Sequence, residues 1–276
     1  MKTSYCHFNG KITTLNKVRI NPYDLGILRG YSVFDVMCTQ NGKPFLLSEH
    51  WKRLHNSAKE LRLRVPISRK KYEKTTKKLL AANKFKKSII RTVLTGGIST
   101  DAMSPGKETF CILIEKFRPL PISVYEKGVG VITLDHKRDF PQAKISNYIA
   151  AIRSHAHKNR KGALEIIYTN DGKALEASTS NFFIVKDNIL ITPKEDILLG
   201  TTRNLVVKLA RKAGYKIQER DVKIKELYSA DEVFLTASNK DIVPVVKIDN
   251  KKVNKGKIGE NTKILMQVFK EFTENY

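Results

Sequence analysis

Residues 176–204 read EASTSNFFIVKDNILITPKEDILLGTTRN. An apolar run, FFIV, and a second one, ILIT, flank Asp187-Asn188. Two β-forming runs on either side of a short turn predict a hairpin. Pro193 ends the second strand, and the chain then runs to a helix over TRNLVVKLARKAG that begins at Thr202. Gly214 supplies that helix with the residue that leaves it most cheaply in a left-handed conformation. Strand, turn, strand, loop and helix follow one another within forty residues.

Moving outward, LEIIYTNDGKALEAS (164–178) predicts another hairpin, turning at Asp171-Gly172. VGVITLD precedes it, followed by a loop and a helix expected to begin near Ser146. Downstream come strand VFLTASN, hairpin VPVVKIDNKKV and an amphipathic helix over roughly 260–273. The N-terminal part predicts hairpins at Asn9-Gly10 and Asn41-Gly42, then a helix SEHWKRLHNSAKELRL capped by Ser48. Glu49 lies in its first turn, where the macrodipole favours an acid. Trp51, Leu54, Ala58 and Leu61 recur at helical spacing and mark its buried stripe. A helix over 69–83 and strands SIIRTVLT and TFCILIEKF complete this half. FRPLPISVYEKG is the expected interdomain linker. Strands and helices mix without a βαβ rhythm, which predicts α+β with antiparallel or mixed sheets.

Length and composition bound the function. The chain has 276 residues, with 41% hydrophobic and 28% charged. That is enough apolar surface for a large core, so a disordered chain is excluded. No apolar run approaches the roughly 20 residues that span a bilayer. The N-terminus lacks an apolar signal region, and Cys6, Cys38 and Cys111 are odd in number and widely spaced, which predicts a reducing, cytoplasmic location. Net charge is +24. Such a charge attracts nucleic acid, but the lysines are spread along the whole chain, so solvated faces and at most nonspecific nucleic-acid binding are expected. A basic nucleic-acid-binding protein is the rival from another class. No metal-ligand spacing, Walker loop, GxSxG or dinucleotide fingerprint is present.

The 176–204 stretch resembles the signature of class IV pyridoxal-phosphate aminotransferases. That signature sets a Glu before a small-residue turn, an Asn and an aromatic, then a hairpin and I-L-x-G-x-T-R. HWKRLHNSAKEL, KISNYIAAI and FLTASNKDIVPV resemble three further family segments, in the same order. The resemblance covers essentially the whole chain. It implies an α+β, two-domain fold of type IV (D-amino-acid/branched-chain aminotransferase-like). A small N-terminal α/β domain would span 1–117, a linker 118–123, and a larger mixed-sheet domain 124–276, with the cofactor in the cleft and the protein a homodimer.

Residue by residue, the resemblance makes Lys144 the lysine that bonds to the aldehyde of pyridoxal 5′-phosphate and shuttles the Cα proton. Glu176 would pair with the pyridine nitrogen. Arg53 would hold the phosphate through charge-assisted hydrogen bonds, helped by Thr202, Thr201 and Ser238 at a helix start. Tyr148 would reach the phenolic oxygen, although its spacing from Lys144 is one residue shorter than in branched-chain enzymes. DLGILRGYSVFDV and TGGISTDAMSP depart from both the common D-amino-acid and the branched-chain patterns. What stands there is Arg29 and Arg91, with Phe34 nearby. They resemble a subgroup of D-amino-acid transaminases in which two arginines take the substrate α-carboxylate, Arg29 from the neighbouring subunit. The implied activity is transamination between D-alanine or D-glutamate and a 2-oxo acid by a ping-pong mechanism. An L-branched-chain aminotransferase, 4-amino-4-deoxychorismate lyase and an (R)-amine transaminase are the alternatives within the family.

Overall fold

A computed structural model describes residues 4–276. The chain divides into two compact units, one of residues 1–118 with 143–147 and Tyr276, the other of 119–142 with 148–275. Residues 1–3 of the expected first domain lie outside the described residues.

In the first unit, β1 (Tyr5–Phe8), β2 (Lys11–Thr14), α1 (Leu25–Leu28), β3 (Ser32–Gln40), β4 (Lys43–Pro44), α2 (Leu47–Glu60), α3 (Arg69–Asn83), β5 (Ser88–Thr95) and β6 (Thr109–Lys116) follow in order. The sheet order is β2-β1-β6-β5-β3-β4, antiparallel throughout. Strict alternation along β5 and β6 separates two faces. Ile90, Leu94, Phe110, Ile112 and Ile114 turn to one side and form a core with Leu54, Ala58, Tyr72 and Leu79 of α2 and α3. Residues 143–147 belong here rather than to the later domain in which they were expected. Ile145 bridges Val33 antiparallel to it, and Ala143 and Ile145 are buried in the same core. Tertiary pairing at a strand edge draws this segment out of its sequence neighbourhood.

In the second unit come α4 (Ile122–Lys127), β7 (Val129–Asp135), α5 (Ile149–Arg153), α6 (His155–Arg160), β8 (Ala163–Asn170), β9 (Lys173–Ala177), β10 (Asn181–Lys186), β11 (Ile189–Thr192), α7 (Thr201–Lys212), β12 (Lys216–Glu219), β13 (Val222–Lys223), α8 (Ile224–Tyr228), β14 (Glu232–Ala237), β15 (Asp241–Ile248), β16 (Lys251–Lys252) and α9 (Glu260–Glu274). The sheet runs β12-β11-β10-β14-β15-β7-β8-β9-β13, with β16 on β15. It is mixed: β7 is parallel to both β15 and β8, and β12 is parallel to β11. Phe182, Phe183, Ile184, Phe234 and Val243 are fully buried in it. Strands covered on both faces read as continuous apolar runs, as FFIV does.

Local expectations differ from the structure at four points. The expected linker carries α4. The helix expected near Ser146 begins at Ile149, because 144–146 are held extended against β3. Ser48 is not the cap of α2: the helix starts at Leu47, and Leu46 precedes it in a left-handed conformation without a side-chain cap. α7 begins at Thr201, so Thr202 lies inside its first turn. Both hairpins at Asn-Gly, the hairpin at Asp171-Gly172 and the 69–83 helix form as the sequence predicts.

Candidate active site

In the first unit, the site begins with Lys144. Its carbonyl accepts from Phe34 N–H at 2.9 Å, and its own N–H donates to Ser57 Oγ at 2.9 Å. Both backbone groups are thereby fixed, and the side chain leaves the sheet on the Phe34 side, with Nζ 4.7 Å from the ring centroid. Phe34 pairs with Val93 and Val36 with Arg91 in the β3–β5 register. Paired residues share a face, and alternate residues along a strand do too. Arg91 therefore stands on the face that carries Phe34 and the Lys144 ammonium, opposite to the helices.

Arg91 is held. Its Nε and Nη2 donate to the two carboxylate oxygens of Glu115 at 2.6 and 3.1 Å. This side-on fork leaves the end-on edge, Nη1 and Nη2, for a second carboxylate. Arg29 closes α1 in an exposed position, its Nη1 on the Leu28 carbonyl at 3.1 Å. Each of the two arginines thus has a partner other than its counterpart.

Arg53 sits one turn after His50 on α2. It donates from Nε and Nη2 to Asp35 Oδ2 and Oδ1 at 2.7 and 3.0 Å, and His50 Nδ1 meets Oδ1 at 2.6 Å. All three are buried or nearly so. Burial by itself would raise the Asp35 carboxyl, but Arg53 and His50 together pull it well below the usual carboxylate range. Burial lowers His50, and the charges of Arg53 and Lys144 act in the same sense, against the pull of Asp35. A neutral imidazole and an ionised Asp35 therefore orient Arg53 and leave Nη1 outside the fork. Sequence reasoning missed Asp35 and His50. The signal was an acid inside the apolar strand VFDVM, which needs cationic partners once buried.

In the second unit, Thr201 and Thr202 are buried in the first turn of α7, and both hydroxyls approach Ser238 Oγ, at 3.3 and 3.4 Å. Asn181 shapes the approach to that helix. Its Nδ2 donates to the Leu198 carbonyl at 2.7 Å, and its Oδ1 accepts from Gly200 N–H at 3.2 Å. A Cβ at Gly200 would lie 2.2 Å from Asn181 Oδ1, so only glycine admits this contact. Three hydroxyls at the N-terminus of a twelve-residue helix form a donor set that suits a phosphate group.

Glu176 is 6% exposed at the end of β9. Arg138 donates to its Oε1 from Nε at 2.7 Å and from Nη2 at 2.6 Å, and Leu198 N–H donates to Oε2 at 3.1 Å. Arg138 was not singled out by sequence, since HKRDF offers adjacent cations with nothing to separate them. Tyr148 caps α5 and is half-buried. It lies close enough to Tyr168 to help burial push that phenol up to about 12, and Arg138 and Glu176 act on the same phenol. Tyr148, Arg138 and Glu176 thus share one neighbourhood. Among the described residues, no group of three His, Cys, Asp or Glu side chains forms a metal site. No helix there is long and apolar enough to cross a membrane.

Taken unit by unit, the residue types suit pyridoxal 5′-phosphate: the first unit holds a lysine amine, and the second a buried carboxylate and a hydroxyl-lined helix start. Comparison with known proteins points to the same group. Residues 32–248 match the model of the family described as "Amino-transferase class IV". A Methanocaldococcus jannaschii protein named "Putative branched-chain-amino-acid aminotransferase" is 34% identical over 96% of this chain and 95% of its own. A D-alanine aminotransferase of Listeria monocytogenes is 30% identical over 95% of this chain and 94% of its own. The branched-chain amino acid aminotransferase of T.th., solved with pyridoxamine 5′-phosphate, superposes with a TM-score of 0.91 at 25% identity, covering 100% of this chain and 95% of that one. A match over most of the chain, with the fold and the donor set in agreement, makes this chain a member of the class IV aminotransferase family, a fold type IV enzyme that uses pyridoxal 5′-phosphate.

Proposed function

We propose that the enzyme moves an amino group between a D-amino acid and a 2-oxo acid, with Arg91 as the anchor of the substrate α-carboxylate. The observation that carries this reading is the sheet face shared by Lys144, Phe34 and Arg91, with the end-on edge of the guanidinium outside the Glu115 fork. A carboxylate bound there would sit on the same side of the sheet as the lysine amine, beside the apolar Phe34, Val36 and Val93.

The cofactor supplies an electron sink for the pair of electrons left when the Cα proton departs. Lys144 would hold the cofactor through its aldehyde, and its amine would carry the Cα proton. Glu176, oriented by Arg138 and Leu198 N–H, would pair with the ring nitrogen. Thr201, Thr202 and Ser238 would donate to the phosphate, with Arg53 supplying charge. Tyr148 is assigned to the phenolic oxygen.

The enzyme is further proposed to work as a homodimer. Tyr23, Ile27 and Ile98 are 62%, 57% and 52% exposed, on segments joined by the Asp24–Ile98 bridge. Large apolar side chains gathered in one patch call for a cover, and a second copy of this chain is the occupant proposed. Arg29, exposed near the same patch, would then serve the site of that copy.

One further observation favours a second reading, an L-branched-chain substrate: the 34% identity with the Methanocaldococcus jannaschii protein. Addition of D-alanine, D-glutamate, L-leucine and L-glutamate singly, without acceptor, separates the two. Loss of the visible cofactor band with the D substrates supports the first reading, and loss with L-leucine alone establishes the second. Lys144→Ala should lose both the band and turnover, and normal turnover by that variant would remove Lys144 from its role. Arg91→Ala should raise KM for the amino donor at least tenfold, about the effect of one charge-assisted contact. An unchanged KM for every donor would make Arg91 a strand arginine paired with Glu115 and nothing more.

A further inference from the structure

Glu165 and Lys240 form a buried ion pair for which the assignments above have no use. Glu165, on β8, is 2% exposed, and the Lys240 side chain is 13% exposed in the turn from β14 to β15. Lys240 Nζ donates to Glu165 Oε1, to Thr179 Oγ1 at 2.5 Å and to Ser180 Oγ at 3.2 Å. Glu165 also accepts from Ser178 Oγ and Thr179 Oγ1, each at 2.5 Å, from Ser180 Oγ at 3.0 Å and from Thr179 N–H at 3.1 Å. Burial would raise its carboxyl, but Lys240 and the hydroxyls outweigh that and hold it below the usual range. An ion pair of this kind gains little net stability, because desolvation offsets its attraction. What it does fix is geometry.

The geometry concerns one turn, 178–181, with a partner at each end. Asn181 holds the Leu198–Gly200 approach to α7 and thereby sets Thr201 and Thr202. Thr179 and Ser180 hold Lys240, which stands two residues after Ser238. The spacing between the α7 hydroxyls and Ser238 is therefore set by a single frame, with Glu165 at its centre.

We propose that Lys240 is a positioning residue for the cofactor phosphate: tied to Glu165 and the 178–180 turn, it keeps Ser238 Oγ in register with Thr201 and Thr202. This inference rests on the assignment of Ser238 to the phosphate.

The test uses the holoenzyme and three variants: Ser238→Ala, the double variant Lys240→Met/Glu165→Gln, and all three changes together. Removal of both charges leaves no unpaired carboxylate in the interior. Lys240→Arg, which keeps the charge, serves as a rescue control. The dissociation constant of pyridoxal 5′-phosphate is read from the visible band, alongside Tm. Ser238→Ala should weaken binding about tenfold, the effect of one hydrogen bond to a charged group. The double variant should weaken it to a similar extent, Lys240→Arg by much less, and the triple variant no further than Ser238→Ala alone. Lys240 would then act through Ser238 and not in parallel with it. If Ser238→Ala weakens binding while the double variant does not, or if the two effects add in the triple variant, the inference is overturned. If Ser238→Ala has no effect, the phosphate assignment itself is overturned, and the inference with it.

Discussion

Asp35 shows how much a single buried charge organises. It accepts from both ends of the Arg53 fork and meets His50, so three polar side chains occupy an apolar interior with their charges matched. Asp35→Asn removes the ionised partner and leaves the guanidinium nearly buried and uncompensated. The apo-protein should lose about 3 kcal/mol in denaturant unfolding, as when one member of a buried pair is removed. Cofactor affinity should fall as well, since Arg53 would no longer be oriented. Unchanged affinity together with the stability loss would confine Asp35 to the core. The arginine itself was legible in HWKRLHNSAKEL. Its acid was not, because Asp35 precedes it by 18 residues on another element, and only the packing of α2 on the sheet brings them together.

At the scale of elements, the decisive feature is the way β10 and α7 meet. Asn181 opens β10, and its side chain clamps the loop that enters α7. Gly200 precedes the helix at φ −63°, a conformation open to any residue, so its need for glycine comes from the close approach of Asn181. Gly200→Ala should displace Asn181, release both contacts and cost about 1–3 kcal/mol. Urea unfolding measures this, and a stability within about 0.5 kcal/mol of the parent, the span of neutral surface changes, would show that the loop adapts. Turns and strand lengths here were readable because Asp171-Gly172, Asp187-Asn188 and the apolar runs act locally. The start of α7 was displaced by a residue because its N-terminal hydroxyls are held by tertiary contacts, and those leave no mark in helical periodicity.

Across the whole molecule, the buried imidazoles and the paired interior carboxylates share one sign of response to acid. Burial lowers His50 and His7, and partners lower Asp35 and Glu165 against their burial. In every case the unfolded chain takes up the proton more readily than the folded one, so stability must fall as pH falls. The histidine loss should begin below about pH 6.5, where unfolded imidazoles charge, and the carboxylate loss below about pH 4. A series of Tm values from about pH 8 to about pH 4 tests this, and His50→Gln should shrink the first decline. A Tm that stays flat through the imidazole range, from about pH 7 to about pH 5, would show that the histidines titrate freely in the fold.

The sequence by itself determined the hairpins, the main helices, the mixed α+β architecture and the order of Lys144, Glu176, Arg53 and Thr202 along the chain. These depend on period, turn chemistry and a long ordered motif, all of them local. Tertiary structure alone decided the return of 143–147 to the first sheet, the Arg91–Glu115 fork, and the pairing of Asp35 with Arg53, Arg138 with Glu176 and Lys240 with Glu165. Each of these is a contact between charges or strand edges far apart in sequence. Their strength comes from burial and alignment, and neither exists until the chain has folded.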